Sequence, residues 1–313
     1  MTSCQYALLT QEKSLIIADL TQYTVIEACG DEAEKYLQGQ LTCDVAKLAV
    51  GHSTLTANCD PKGKMLSLFR LIRLSPTQFY LLIHKDLLAL GLANLKKYAV
   101  FSKITFTELN AQIVGIAGEQ AQDFVAQKCG QISDKTQPVL QNEMQVQLYL
   151  ETAQPRYILI NHQTETIDFN SDFAQWDLLD IQDGMPLLAA KTQNEFLPQA
   201  LNLQLLETGI SFQKGCYIGQ EMVARAKYRG ANKRAMFTLA GKTDSLPEIG
   251  SEVEMLLETN WRKTGTIISA VNFDGNLWLQ VVLNKDIEPN THFRLPSDES
   301  RLCLYPLPYT LEN

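Results

Sequence analysis

Residues 212–235, FQKGCYIGQEMVARAKYRGANKRA, hold the densest chemistry in the chain. Between Lys214 and Arg234 stand six basic side chains, Lys214, Arg225, Lys227, Arg229, Lys233 and Arg234. A single acid, Glu221, opposes them, a local balance of +5 within a chain of net charge -8. Cys216 lies two residues after Lys214. The thiolate is the reactive form of cysteine and positive surroundings favour it, so Cys216 is a candidate nucleophile or redox-sensitive group. Gly215, Gly219 and Gly230 punctuate the segment, which permits tight turns or close backbone approach to a ligand. On composition alone, the commoner reading of such a stretch is a solvated basic loop around a buried cysteine.

Other familiar chemistry is missing. The sequence has no G-x-x-x-x-G-K-[ST] phosphate loop, no G-x-G-x-x-G fingerprint and no H-E-x-x-H. The histidines, His52, His84, His162 and His292, are far apart. The seven cysteines are odd in number, scattered and without a C-x-x-C. That argues against a disulfide framework, a zinc site or an all-protein iron–sulfur site, and no metal is expected. Free thiols in this number suit a reducing, cytoplasmic setting. With 313 residues, 45% hydrophobic and 20% charged, the chain can form two or three domains around a sizeable core. Its acidity gives no long-range attraction for nucleic acid or anionic membrane, so any such contact needs a local basic patch. The N-terminus MTSCQYALLT lacks a basic region followed by an apolar run, and no apolar stretch approaches the ~20 residues that span a bilayer. No membrane association is expected.

The elements that must position this chemistry are mixed. Residues 31–38 predict a short helix with Asp31 as cap and Gly39 as stop. Residues 64–74 predict a strand with apolar groups on both faces, turning through Ser75-Pro76-Thr77 into a second strand, Gln78–His84, inside a sheet covered on both sides. Residues 86–99 predict a helix with Leu88, Leu92, Leu95 and Ala99 on one stripe. Strands are expected at Ile113–Ala117, Gln145–Leu150 and Arg156–Ile160, and a helix at Glu119–Lys128. After about residue 235 short strands crowd together, at Met236–Ala240, Glu252–Leu257, Thr264–Val271, Leu277–Leu283, His292–Leu295 and Arg301–Leu304. That run predicts a small β-barrel or sandwich. The fold class is therefore α+β, with a first region over 1–235 and a C-terminal domain over 236–313.

The octapeptide K-G-C-Y-I-G-Q-E at 214–221 resembles the signature of the YgfZ family of folate-binding, tRNA-modifying proteins. The likeness continues, in order, through L-Q-G-Q-L-T-C-D-V at 37–45, K-K-Y-A-V-F-S-K at 96–103, F-L-P-Q-A-L-N-L-Q at 196–204 and V-A-R-A-K-Y-R-G-A-N-K-R at 223–234. W-R-K-T-G-T at 261–266 and P-L-P-Y-T-L-E at 306–312 complete it. The resemblance implies the fold of the glycine-cleavage T-protein, with two intertwined ferredoxin-like subdomains and a C-terminal β-barrel. It implies a folate or tetrahydrofolate cofactor in a central cavity, and support for iron–sulfur enzymes such as the tRNA methylthiotransferase. Within the signature it points to Lys214, Gly215, Cys216, Tyr217, Gly219, Gln220, Glu221, Arg225 and Arg229, with Cys216 as the functional thiol.

Three further positions follow from the resemblance. Trp176, in WDLLDIQDG at 176–184, takes the family's pterin-site tryptophan position, where a flat indole can stack on a flat ring; on its own such a Trp is more often core. Tyr23 stands where the family usually carries a second Trp. Gln182, with Asp183 beside it, stands where T-proteins carry a Glu that contacts the pterin. An amide offers one acceptor and one donor where a carboxylate takes a paired hydrogen bond. The T-protein's catalytic Asp falls in a strand whose counterpart is Lys62–Leu68, and Ser67-Leu68 replaces the acidic pair. That loss removes the carboxylate aminomethyl transfer would use. Three readings compete: a folate-binding accessory protein, a folate-dependent one-carbon transferase, and a module that contacts tRNA directly through Lys214–Arg234.

Overall fold

The computed structural model describes residues 6–228 and 232–311; of the positions singled out above, Cys4, Arg229 and Gly230 lie outside the described residues. The chain opens with α1 (Leu9–Glu12) and β1 (Ile16–Asp19). It continues through β2 (Tyr23–Cys29), α2 (Ala33–Gln38), β3 (His52–Cys59), β4 (Met65–Arg73), β5 (Gln78–His84), α3 (Lys85–Ala99) and β6 (Thr105–Leu109). Then come β7 (Gln112–Ala117), α4 (Ala121–Cys129), β8 (Val139–Gln141), β9 (Gln145–Leu150), β10 (Arg156–Asn161), α5 (Phe173–Gln182) and α6 (Gln220–Tyr228). The rest is all β: β11 (Arg234–Lys242), β12 (Val253–Leu257), β13 (Asn260–Thr264), β14 (Thr266–Phe273), β15 (Asn276–Asn284), β16 (His292–Arg294) and β17 (Arg301–Tyr305).

Two five-stranded antiparallel sheets share the first region. One has the order β3-β4-β5-β2-β6, the other β1-β7-β10-β9-β8. In the first, β2, α2, β4, β5, α3 and β6 follow the ferredoxin plan, with β3 added at the edge. In the second, β7, α4, β9, β10 and α5 follow the same plan, but the closing strand is β1, from the start of the chain. β1 pairs with β7, Ile16 opposite Ala117. The first subdomain is thus threaded between the first and second strands of the other sheet, and the two are interlaced.

Burial follows the period of each element. β4 is buried at every position, as a strand covered on both faces must be. Its Met65, Phe69 and Leu71 enter a core with α2 and α3, while Ile72 enters the core between the two sheets. On β7, Val114 and Ile116 pack under α4, and Ile113 and Ala117 face the inter-sheet core, where Trp176 of α5 also lies. β11–β17 form one antiparallel sheet, β13-β12-β16-β17-β11-β15-β14. It wraps a single apolar core that includes Leu239, Val253, Ile267, Leu279, Phe293 and Leu302, with its end strands unpaired to each other.

Three local expectations change. The 31–38 helix starts at Ala33 with Glu32 at its N-cap and no side-chain cap, so Asp31 does not cap it. On α3 the most buried stripe is Leu87, Gly91 and Leu95, with Leu88, Leu92 and Ala99 half-buried along its border. Ser67 of β4 presses against Gly91, and a Cβ there would lie 2.7 Å from the Ser67 Cβ; the closest approach falls on a glycine that a hydrophobic count passes over. The strand expected at 264–271 is two strands broken at Gly265, whose φ of +67 turns the chain.

Candidate functional site

A cavity of about 260 Å3 lies where both subdomains and the C-terminal domain meet. β2 supplies Tyr23, β4 supplies Leu68 and Arg70, β10 supplies Arg156, and α5 supplies Trp176, Asp177 and Asp180. β14 closes one side with Ile268 to Val271. On α5, positions 176, 177 and 180 share a face by the 3.6-residue period.

The charges in these walls are specific. Arg156 is 1% exposed. Its Nη2 donates to Asp180 at 2.8 Å and reaches Asp183 at 3.2 Å, and its guanidinium lies 4.9 Å from the Trp176 ring centre. Its Nε and Nη1 have no acceptor among the described residues. Burial raises the Asp180 and Asp183 carboxyls above their ordinary range despite the pull of Arg156. Asp177 has no arginine partner; burial first, then the Asp180 charge, push its pKa up to about 8 against one hydrogen bond from Gln22. On the opposite wall, Arg70 makes a two-pronged pair with Glu207, at 2.7 and 3.1 Å. Burial pushes Glu207 up, but Arg70 and the Leu55 N–H outweigh it and hold that carboxyl below its usual value.

Trp176 and Tyr23 both line the cavity. Trp176 is also core, being only 2% exposed, and its indole lies so close over Gly115 of β7 that any side chain there would overlap it. Gln182 is not brought to the cavity. Six residues beyond Trp176, it is rotated to another face of α5, and its Oε1 accepts from the Leu9 N–H at 3.1 Å. The polar groups α5 presents to the cavity are Asp177 and Asp180 instead. The sequence reading missed them, along with Arg70, Arg156 and Glu207; for the α5 pair the signal was present in the spacing from Trp176. Of the Ser67-Leu68 pair, Leu68 faces the cavity, while Ser67 is fully buried, its hydroxyl without a hydrogen bond among the described residues.

The signature segment lies elsewhere. None of Lys214 to Tyr228 lines the cavity. Lys214 turns inward, donating to the carbonyls of Leu41 at 2.8 Å and Cys43 at 2.7 Å, with its ammonium over the Tyr217 ring. Burial lowers its pKa to about 8. Tyr217 is buried, and burial raises its hydroxyl. Gly219, at φ +84, lies against the Asp60–Gly63 turn and leads into α6 through Gln220. Arg225 faces Glu221 across one helical turn, at 3.7 Å. Lys227 lies 4.0 Å from the centre of the Phe212 ring, and Tyr228 beside it is 69% exposed.

Cys216 is exposed, and Gly215 before it has open space around it. This overturns the bland expectation of a buried cysteine. The Lys214 charge expected to sit beside the thiol is instead spent on the carbonyls of 41 and 43. Cys43 and Cys59 are buried thiols whose pKa burial raises, Cys43 to about 11. Cys303 is disulfide-bonded, against the expectation of free thiols throughout.

Comparison with known proteins gives a consistent picture. The family model described as the GCVT N-terminal domain matches residues 8–148, and that described as YgfZ, beta-barrel domain, matches residues 232–299. The chain is 55% identical over 292 residues to an uncharacterized protein of Haemophilus influenzae, covering 93% of this chain and 97% of that one. It is 40% identical over 319 residues to the tRNA-modifying protein YgfZ of Photorhabdus laumondii, covering 99% and 97%. The Escherichia coli O157:H7 protein of the same name is also 40% identical, over 95% of this chain and 94% of its own. Among solved structures, the glycine cleavage system aminomethyltransferase T of Bartonella henselae superposes with a TM-score of 0.73. It is 15% identical and covers 96% of this chain and 87% of its own, a likeness of fold.

Proposed function

The chain belongs to the YgfZ family, and on that premise we propose that it binds tetrahydrofolate in the central cavity. We further propose that it works in the cytoplasm, in tRNA modification, by supporting iron–sulfur enzymes such as the tRNA methylthiotransferase, with Cys216 as its functional thiol. The observation that carries the folate reading is the meeting of the buried Arg156–Asp180 pair with Asp177 and Tyr23 in the wall of one cavity, since a few polar groups converging on an apolar pocket mark a small-molecule site. Trp176 and Tyr23 offer flat aromatic surface, Leu68 and Ile158 apolar surface, and Asp177 and Asp180 partners for the ring's donors. Bound folate would supply a one-carbon or redox-active pterin. The residues of this chain orient it, exclude water and, at Asp177, hold a proton near neutral pH.

Aminomethyl transfer of the T-protein kind is disfavoured, because β4 offers Leu68 where an acid would stand. One observation favours the alternative of a different folate-dependent one-carbon transferase: Asp177 keeps a proton-bearing carboxyl in the same cavity. Exposure of Cys216 supports a thiol that meets a partner outside the cavity, where folate does not reach.

The test has two arms. Tetrahydrofolate titrated into the full chain should quench tryptophan fluorescence, and Arg156→Lys, which keeps the charge but loses the fork, should bind at least about tenfold more weakly. In cells lacking the protein, Cys216→Ala should fail to restore tRNA methylthiolation while accumulating as a folded protein. No folate binding at millimolar concentration would sink the first arm; full restoration by Cys216→Ala would sink the second.

A further inference from the structure

Pockets that hold a whole drug-sized ligand run from about 300 to 1,000 Å3. At about 260 Å3, the central cavity has room for the pterin end of a folate and not for the whole molecule. A wider hollow of about 890 Å3 adjoins it. The two share four wall residues, Arg70, Leu150, Glu151 and Glu207, which stand at the boundary between them. Beyond that boundary the groove carries Lys47, Lys135 and Lys227, with His52 beside them.

These cations are available. Lys47 is held by Asp44 only at 3.6 Å, with its side chain 73% exposed. Lys135 pairs with Glu151, and both side chains are mostly in solvent. Exposed pairs of this kind contribute little, so an incoming carboxylate can replace the resident one. Lys227 lies over Phe212 and has no carboxylate partner among the described residues. The remaining acid of the walls, Glu207, is committed to Arg70.

Resting on the folate reading of the cavity, we infer that this groove is the track for a poly-γ-glutamate tail. The pterin occupies the cavity, the chain leaves past Arg70, and the successive carboxylates meet Lys135, Lys47 and Lys227. The wall it shares with the cavity selects this occupant. A tail tethered to an anchored head binds intramolecularly, so individually weak charge contacts suffice, whereas an untethered polyanion would find a nearly balanced set of charges here. Phe212 and Lys227 belong to the groove's lining, which brings the tail to the edge of the signature segment. The protein would then select the polyglutamylated folates over the monoglutamate.

Calorimetric titration of the full chain with tetrahydropteroyl mono- and pentaglutamate tests this. The pentaglutamate should bind about tenfold or more tightly. That preference should shrink with added salt. It should vanish in the triple variant Lys47→Gln, Lys135→Gln, Lys227→Gln, whose monoglutamate affinity stays that of the wild type. Equal binding of the two forms by the wild type overturns the groove and leaves the folate reading standing. Binding of neither form overturns both. A short unstructured oligoribonucleotide that binds without folate, and is lost in the triple variant, assigns the groove to nucleic acid and overturns the tail.

Discussion

Asp177 is the residue whose ionisation reports most directly on the cavity. Its carboxyl is raised from 3.8 to about 8, chiefly by burial and then by Asp180. The folded state therefore holds a proton that the unfolded state releases near pH 4. The sign follows from linkage: between those values the native chain binds more protons, so this group makes stability fall as pH rises from about 4 to about 8. Below that window it has no effect, and above it the full cost of a buried charge is present. Asp177→Asn keeps the shape and removes the titration. Its melting temperature should exceed that of the wild type at pH 8.5 and match it near pH 4, as read by calorimetry across the range. A variant curve parallel to the wild type at every pH would show that Asp177 titrates alike in the folded and unfolded chain. Trp176, by contrast, is a poor probe of the site when cut to alanine. A core tryptophan removed that far costs on the order of 3–5 kcal/mol of stability, which would mask any loss of stacking.

Among the elements, the loop entering α6 separates the two roles of the signature segment. Gly219 is left-handed, and a Cβ on it would lie 2.6 Å from the Asp60 carbonyl oxygen and 2.9 Å from the Gly63 Cα. Gly215, two positions before Tyr217, has nothing within 4 Å. Gly219→Ala should lose at least about 1–3 kcal/mol, the range for a residue forced into a disfavoured backbone region. Gly215→Ala should be within about 0.5 kcal/mol of wild type. Denaturant unfolding of the two variants decides it, and equal losses would mean that the loop is not pinned at Gly219. The same contrast shows what could be read in advance. The β4–β5 pair was legible because alternation and a Ser-Pro-Thr turn are local signals, and α3 because its stripe has helical period. β1, β2 and β3 were not anticipated. β1 is four residues long and takes its identity from β7, nearly a hundred residues away. The family likeness pointed to Trp176 and Tyr23, which line the cavity, and to Cys216, which does not. It could not show that Lys214 points inward, that Gln182 faces Leu9, or that Arg70 and Arg156 converge, because those facts depend on tertiary approach between distant strands.

At the scale of the whole molecule, interlacing and the cavity make one argument. β1 precedes the first subdomain and closes the second sheet, so the second sheet is completed only with the whole first subdomain lying between β1 and β7. The C-terminal domain is joined to both by its own contacts. Thr238 of β11 donates to the Ile181 carbonyl of α5 at 3.2 Å, and Asn202 bridges to the Met236 backbone in both directions. The final segment packs Leu307, Pro308 and Tyr309 against Gly184, and the Tyr309 hydroxyl donates to the Gly184 carbonyl at 2.7 Å. That contact unites two blocks of the family likeness, WDLLDIQDG and P-L-P-Y-T-L-E. The cavity is lined from all three parts, with Leu68 and Arg70 from the first sheet, Arg156 and α5 from the second, and Ile268 to Val271 from the C-terminal domain. A ligand held there binds only the assembled state, and at a concentration of 100 Kd it stabilises that state by about 2.7 kcal/mol. Hydrogen exchange should therefore slow together in peptides covering β4, α5 and β14 when tetrahydropteroylglutamate is added, since one opening event exposes all three. Peptides from β12 and β13, at the far end of the C-terminal sheet, should change least. Protection confined to α5, with β4 and β14 unchanged, would mean that the ligand sits on the surface of one subdomain and that the cavity is not where it binds.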